Sequence, residues 1–358
     1  MEVEPSEGLG LNFEQDSEAS VSHSEHHHCN LDIRPFPHQV SGHVGMFQLG
    51  QSTILKPSNP REVDFYRSLS HSLRLFAPQF QGLIDVPIGN GHARFFSSLL
   101  RKASLRSGVK NLENRCIVEF GEEEGNPWGL RQQYKLLNYF ADVSQASIEF
   151  MKLENLVERY KFPCVLDLKM GTQQFGPWAS EEKKQNKVRK SRSTTSGRLG
   201  IRLISKQVFT PSLGFRSSHT KEHGRALREE ALAEEIRSFV RPAASPHDLT
   251  QPFIHQLSKL QTVVEKAEGY RFFCSSLLLL YDGAQPEDCQ VRMIDFAQST
   301  GPGMQEENPF VGPDHGYLLG LTNLIRFLRK ERAVEMREGE GEAWSGSELE
   351  NSPHQCLQ

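Results

Sequence analysis

An aspartate and a lysine interrupt an otherwise apolar run, Pro163–Gly171 (PCVLDLKMG), at positions 167 and 169. A short apolar run of this kind reads as a buried strand. A strand sends residues i and i+2 to the same face, so Asp167 and Lys169 point together into one cleft. Burying a carboxylate and an ammonium is costly unless each is paired or liganded, so the fold must build either a structural salt bridge or a polar site here. A second string, Arg292–Gln298 (RMIDFAQ), places Asp295 after another apolar run and before a phenylalanine. A carboxylate beside an ammonium, with a distant aspartate to hold a metal, is what phosphoryl transfer from a nucleotide requires.

The bulk of the chain narrows the reading. Its 358 residues suffice for two lobes. The net charge of −4 means that any strong anion binding comes from local clustering, not from the field of the whole protein. The six cysteines (Cys29, Cys116, Cys164, Cys274, Cys289 and Cys356) form no CxxC pair, which argues against a zinc or disulfide framework. Residues 1–30 are acidic and polar, unlike a secretory signal. No apolar run is long enough to span a bilayer, and Cys356 falls outside a prenylation box. These features predict a protein of a reducing compartment, the cytoplasm and/or nucleus, with no membrane partner.

Residues 1–33 and 335–358, rich in Ser, Glu and Gly, are expected to be disordered tails. An N-terminal lobe is expected over 34–155, with an insertion near 90–125, and a C-terminal catalytic lobe over 156–334. Glycine-punctuated strands are predicted in 34–57, a helix with Pro near its start in 60–70, a strand near 82–88 and a helix in 127–142. Beyond the Asp167 segment follow a helix over 178–193 opened by Ser180, a strand over 200–209 and helices over 225–241 and 253–267. A hairpin joins 274–281 to 291–296 across Asp282-Gly283, and an amphipathic helix closes the chain over 317–332. Strands first and helices later predict an α+β, two-lobed architecture with a cleft between the lobes.

Other polar residues fit that cleft. Lys56 ends a β-prone run, TILKP, and Glu62 follows in the next helix. A strand lysine can hold donor phosphates while a helix glutamate orients it. The inter-lobe stretch Glu154, Asn155 and Leu156 reads as a linker that presents backbone groups to adenine, with Asn155 reaching toward a ribose. Asp295 would coordinate Mg²⁺ against the donor phosphates, and Ser275 or Ser276 on the partner strand would contact metal or phosphate. Lys183, Lys184, Lys187, Arg189 and Lys190 crowd five cations into eight residues, with 183, 187 and 190 on one helical face. A solvated face or a nucleic-acid patch is the ordinary reading of such a run. Starting only 12 residues beyond Gly171, it reads better as the wall of a site for a highly phosphorylated ligand, and no nucleic-acid partner is expected. There is neither a GxxxxGK[ST] loop nor an HRDxxxxN string, so P-loop enzymes and ordinary protein kinases are set aside.

The pattern Pro-x-x-x-Asp-x-Lys-x-Gly resembles the signature of the inositol polyphosphate kinases, and the likeness covers roughly residues 35–332. The strings PFPHQVSGH, REVDFY, NPW, CVLDLKMGT, ASEEKKQNKVRK and GPDHGYLLGL are most similar to the inositol hexakisphosphate kinases. That resemblance implies a two-lobed fold related to protein kinases, with an ATP cleft between the lobes. It implies transfer of the ATP γ-phosphate, with Mg²⁺, onto a phosphate of inositol hexakisphosphate, giving a diphosphoinositol pentakisphosphate, typically at the 5-position. Asp167 and Lys169 would be catalytic. Lys56, Glu62, Glu154, Asn155, Leu156, Asp167 and Asp295 would bind ATP. Lys169, the basic helix and Gln298 would bind the inositol phosphate. Ala297 stands in place of the Gly of an Asp-Phe-Gly element, and Gln298 stands where family members commonly have a His that touches substrate. The alternatives are a multikinase acting on inositol tris- and tetrakisphosphates and a non-catalytic inositol phosphate-binding scaffold.

Overall fold

Turn glycines and alternating apolar residues divide the first segment into β1 (Ile33–Pro35), β2 (Phe47–Leu49) and β3 (Thr53–Pro57). With β4 (Phe80–Pro87) and β6 (Ser147–Glu154) these form an antiparallel sheet of order β1-β2-β3-β6-β4. The computed structural model describes residues 32–87, 117–120, 125–142, 147–210, 214–218, 221–241, 247–304 and 309–341. The N-terminal tail, the end of the C-terminal one and most of the 90–125 insertion lie outside the described residues. Helix α1 (Pro60–Ser68) starts because Asn59 Oδ1 accepts the Glu62 N–H at 3.2 Å and Pro60 occupies its first turn. Its buried face carries Phe65 and Tyr66, whose rings meet Phe296 at 4.8 and 5.2 Å between centroids. A short α2 (His71–Arg74) follows.

The second sheet has the order β11-β10-β7-β8-β9-β5. Its strands are β5 (Ile117–Phe120), β7 (Pro163–Met170), β8 (Ile201–Thr210), β9 (Gly214–Ser218), β10 (Ser276–Asp282) and β11 (Cys289–Ile294). β5 departs from expectation. It comes from the segment assigned to the N-terminal lobe, yet it pairs with the otherwise open edge of β9. The apolar run around Asp167 becomes the inner strand β7, buried throughout except at Lys169, which is half-buried. β10 beside it is buried at every position. A register shift between Asp167 and Leu168 gives β8 one extra residue, Ile204, opposite that pair. A bulge of this kind re-aims side chains beside a site.

Helices α3 (Pro127–Asp142), α4 (Glu181–Arg192), α5 (Thr195–Leu199), α6 (Lys221–Ala226), α7 (Glu229–Val240), α8 (Thr250–Glu265) and α9 (His315–Gly341) complete the fold. α9 runs past the predicted end into the segment expected to be a tail, over residues dominated by strong helix formers. It packs against α8 and against the start of β8. Gly200 makes that approach possible: its φ is +67°, and a Cβ there would lie 2.7 Å from Gly320 N.

A buried polar chain ties α3 and the β1–β2 segment to the second sheet. Asn126 Nδ2 donates to Gln207 Oε1 at 2.9 Å. Gln207 Nε2 donates to Pro163 O at 2.9 Å and lies 3.2 Å from His38 Nδ1. Burial pushes the His38 pKa down to about 4 from 6.5. A histidine held neutral in the fold contributes stability that is complete above pH 6.5 and is lost as the pH falls toward 4. His38 alone is expected to remove about 2 kcal/mol between pH 7 and pH 5. Denaturant titrations of wild type and His38→Gln at both pH values check this. An equal pH dependence in the two proteins would exclude His38 as the source.

Candidate active site

Between the sheets lies a cavity of about 410 Å³ whose walls include the apolar Val40, Ile54, Leu153, Leu278 and Ile294. Its polar end is built from three elements. β3 supplies Lys56, α1 supplies Glu62, and the turn after β11 supplies Asp295. Lys56 Nζ donates to Glu62 Oε1 at 2.7 Å and to Asp295 Oδ1 at 2.8 Å. Glu62 Oε1 also accepts the Phe296 N–H at 3.0 Å. Asp295 takes a left-handed conformation, φ +65°, which Asp tolerates better than most residues. Burial works against the charge on Lys56, but Asp295 and Glu62 outweigh it and hold the pKa above the usual lysine value. Burial likewise opposes the Asp295 charge, and Lys56 and Lys169 overcome it, keeping that carboxyl below the ordinary range. At the far end, the linker after β6 is fixed by its backbone: Glu154 N donates to Gln79 O at 2.9 Å and Asn155 N to Ser52 O at 2.8 Å. Among the described residues the Leu156 N–H has no partner.

A second cavity, about 560 Å³, shares Val40–His43, Cys274, Asp295 and Gln298 with the first. β7 points Asp167 and Lys169 into it together, as their spacing requires. Lys169 Nζ donates to Cys274 O. Asp167 Oδ2 accepts from Ser41 Oγ, and Ser276 also hydrogen-bonds this carboxyl. The other oxygen, Oδ1, is buried with no partner among the described residues. Burial, reinforced by the nearby Asp295 charge, raises the Asp167 pKa to about 6. Arg202, paired across the sheet with Lys169, joins Lys183, Lys187, Lys190 and Arg225 on the walls. Six Lys and Arg side chains therefore face two carboxylates, a local excess of positive charge in a chain of net charge −4.

Asp167 and Asp295 both line this cavity, and a pair of carboxyl groups suits a hard divalent cation. No group of three or more His, Cys, Asp or Glu among the described residues could hold a metal by itself. Such an ion would therefore be shared with phosphate oxygens.

A family model described as inositol polyphosphate kinase matches residues 150–329, half of the chain. The chain belongs to the inositol polyphosphate kinase family. Inositol hexakisphosphate kinase 3 of Mus musculus is 31% identical, over 87% of this chain and 96% of that protein. Inositol hexakisphosphate kinase 3 of Homo sapiens is 29% identical, over 87% and 97% respectively. The crystal structure of an inositol phosphate multikinase from S. cerevisiae, in complex with ADP and Mn²⁺, superposes with a TM-score of 0.54 at 20% identity, covering 78% of this chain and 99% of that one. That likeness shows the shared α+β, two-lobed fold.

Within this inositol polyphosphate kinase, the structure brings Lys56, Glu62, Asp167, Lys169, Ser276, Asp295 and Gln298 to the joined cavities, and Glu154, Asn155 and Leu156 to the linker end. Asn155 lines the cleft with its amide anchored to the linker: Nδ2 donates to Gln51 O at 2.7 Å and Oδ1 accepts the Val157 N–H at 3.2 Å, so one N–H of the amide is still available beyond these contacts. Two expectations need correction. Ser275 is fully buried and donates to Phe272 O at 2.8 Å, because adjacent residues of an extended chain face opposite sides; Ser276 alone meets the site. Lys184 and Arg189 sit on the far face of α4, against Glu181 at 2.7 Å and Asn186 at 2.9 Å, since 100° per residue carries them away from 183, 187 and 190. Ser41, Trp178, Arg202 and Arg225 escape a reading of the sequence. The alternation of β8 and the HGRAL string hinted at the two arginines without saying which face was the inner one.

Proposed function

We propose that this chain is an ATP-dependent inositol hexakisphosphate kinase, transferring the γ-phosphate to a phosphate of inositol hexakisphosphate to give a diphosphoinositol pentakisphosphate. The observation that carries the reading is that the cavity holding the Lys56–Glu62–Asp295 cluster adjoins, at Asp295, a second cavity walled by six cationic side chains. Each phosphate of such an acceptor bears ~1.5–2 negative charges, and one or two lysines would not hold it. The curated relatives above are inositol hexakisphosphate kinases, which supports the same substrate.

In this reading the apolar cavity takes the adenine, with the Leu156 N–H at its edge. Lys56, aimed by Glu62, holds the donor phosphates. Mg²⁺, held by Asp295 and Asp167, would neutralise charge between donor and acceptor. Lys169 approaches the transferring phosphoryl group, while Lys183, Lys187, Lys190, Arg202 and Arg225 bind the acceptor. The attacking atom is a phosphate oxygen that is already ionised at neutral pH. It forms the new P–O bond as the bond to the bridging oxygen of ADP breaks, so no base is needed to uncover a nucleophile. The site must supply alignment and charge neutralisation, which is what its residues offer. Cytoplasm and/or nucleus is the proposed location, in keeping with the free thiols Cys164, Cys274 and Cys289 among the described residues. No helix of the described residues is long and apolar enough to cross a membrane.

Incubation with Mg-ATP and inositol hexakisphosphate, resolved by strong-anion exchange, tests the assignment. A product more anionic than the substrate is expected. Transfer only to tris- or tetrakisphosphates would make the chain a multikinase, and binding without transfer would make it a scaffold.

A further inference from the structure

Trp178 stands just before α4, on the wall of the acceptor cavity. Its indole N–H donates to Gln298 Oε1 at 3.0 Å. The guanidinium of Arg61 lies over its ring, 3.9 Å from the centroid, close enough for a favourable cation–π contact. Arg61 belongs to α1, next to Glu62, and Gln298 follows Asp295 by three residues. One aromatic ring thus connects the helix that aims Lys56, the segment that carries Asp295 and the entrance to the basic helix. Gly176 leaves room for it: a Cβ there would sit 2.4 Å from the indole.

The polarity of the Gln298 contact matters. A glutamine amide has one accepting end and one donating end, and an indole N–H can only donate. Bound to Trp178, the amide oxygen of Gln298 is engaged by the indole N–H, while the Gln298 side chain lines both cavities. Its NH₂ end, which has no partner among the described residues, is left for the ligand. Reversed, the amide would present an oxygen to phosphate oxygens, lone pair against lone pair. A phosphorylated acceptor therefore gains a donor only while the indole holds the amide.

We propose that Trp178 is a positioning residue for the phosphorylated acceptor, fixing Gln298 as a hydrogen-bond donor and, through Arg61, coupling that orientation to helix α1. The proposal rests on the functional reading above for the identity of the acceptor.

Trp178→Phe tests it, because the ring remains for Arg61 while the N–H is lost. Calorimetric titration with inositol hexakisphosphate alone measures binding without turnover, and steady-state kinetics separate the two substrates. The Kd and KM for inositol hexakisphosphate are expected to rise roughly three- to tenfold, the worth of one hydrogen bond, with the KM for ATP unchanged. Gln298→Ala is expected to have the same effect, and the double variant no more than either single one. Unchanged acceptor affinity in Trp178→Phe, fully additive effects, or an equal rise in the KM for ATP would each overturn the proposal. A wild-type protein that does not bind inositol hexakisphosphate would overturn the functional reading and this proposal with it. Wild-type binding that Trp178→Phe retains in full would overturn the proposal alone.

Discussion

Asp295→Asn is expected to lower the kcat for transfer by roughly a thousandfold or more, the scale of removing a principal electrostatic contact from a phosphoryl-transfer site. The exchange is nearly isosteric, and Asn, like Asp, tolerates the left-handed backbone that residue 295 adopts at φ +65°. Lys56 retains Glu62 at 2.7 Å, so the fold loses little. What disappears is the carboxylate that Lys56 and Lys169 hold ionised and that lines the second cavity together with Asp167. Rates measured with Mg-ATP, alongside thermal melts, separate the two effects. A variant retaining a tenth of the wild-type rate would remove Asp295 from the mechanism. Lys56→Met is the less clean experiment, because it strips a donor from buried Glu62, whose Oε2 already lacks a partner among the described residues.

Replacing Lys183, Lys187 and Lys190 together by alanine is expected to raise the KM for inositol hexakisphosphate by roughly 10²–10³-fold, at about 1–1.5 kcal/mol for each lysine–phosphate contact. The KM for ATP should change little, and added salt should narrow the gap between variant and wild type. The matched control is Lys184→Ala with Arg189→Ala, on the opposite face of the same helix, where near wild-type kinetics are expected. Stability is not the issue in either variant. Ser191 is the one residue of α4 that is buried, and alanine favours helix. Comparable effects from both faces would mean that the helix acts through its general field and not as a wall.

What the sequence makes legible here follows from periodicity. Lys56 and Glu62 are separated by a strand end and a proline-started helix, and Asp167 and Lys169 by the two-residue repeat of a strand. Local geometry settles both. The sorting of the basic run follows from the helical repeat, which sends 184 and 189 away as surely as it groups 183, 187 and 190. The rest depends on pairings between distant segments. Asn155 is captured by Gln51 O, more than a hundred residues earlier. Whether Ser275 or Ser276 meets the site depends on which side of β10 is the cleft, and the same holds for Arg202 until β8 is seen beside Lys169. β5 joined the second sheet because a free edge was available there, and nothing in its four residues announces that.

Glu62 gives the resting cleft its character. A single buried oxygen of this residue accepts from Lys56 on the first sheet and from the Phe296 N–H beside the second. Spreading the lobes would take at least one of these donors from a carboxylate buried among aromatic rings, so the separated arrangement is disfavoured before any nucleotide arrives. Lys56 is already held in place by Glu62 and Asp295 before a nucleotide enters. The entropy of ordering it is lost once, when the chain folds, and not again in every catalytic cycle.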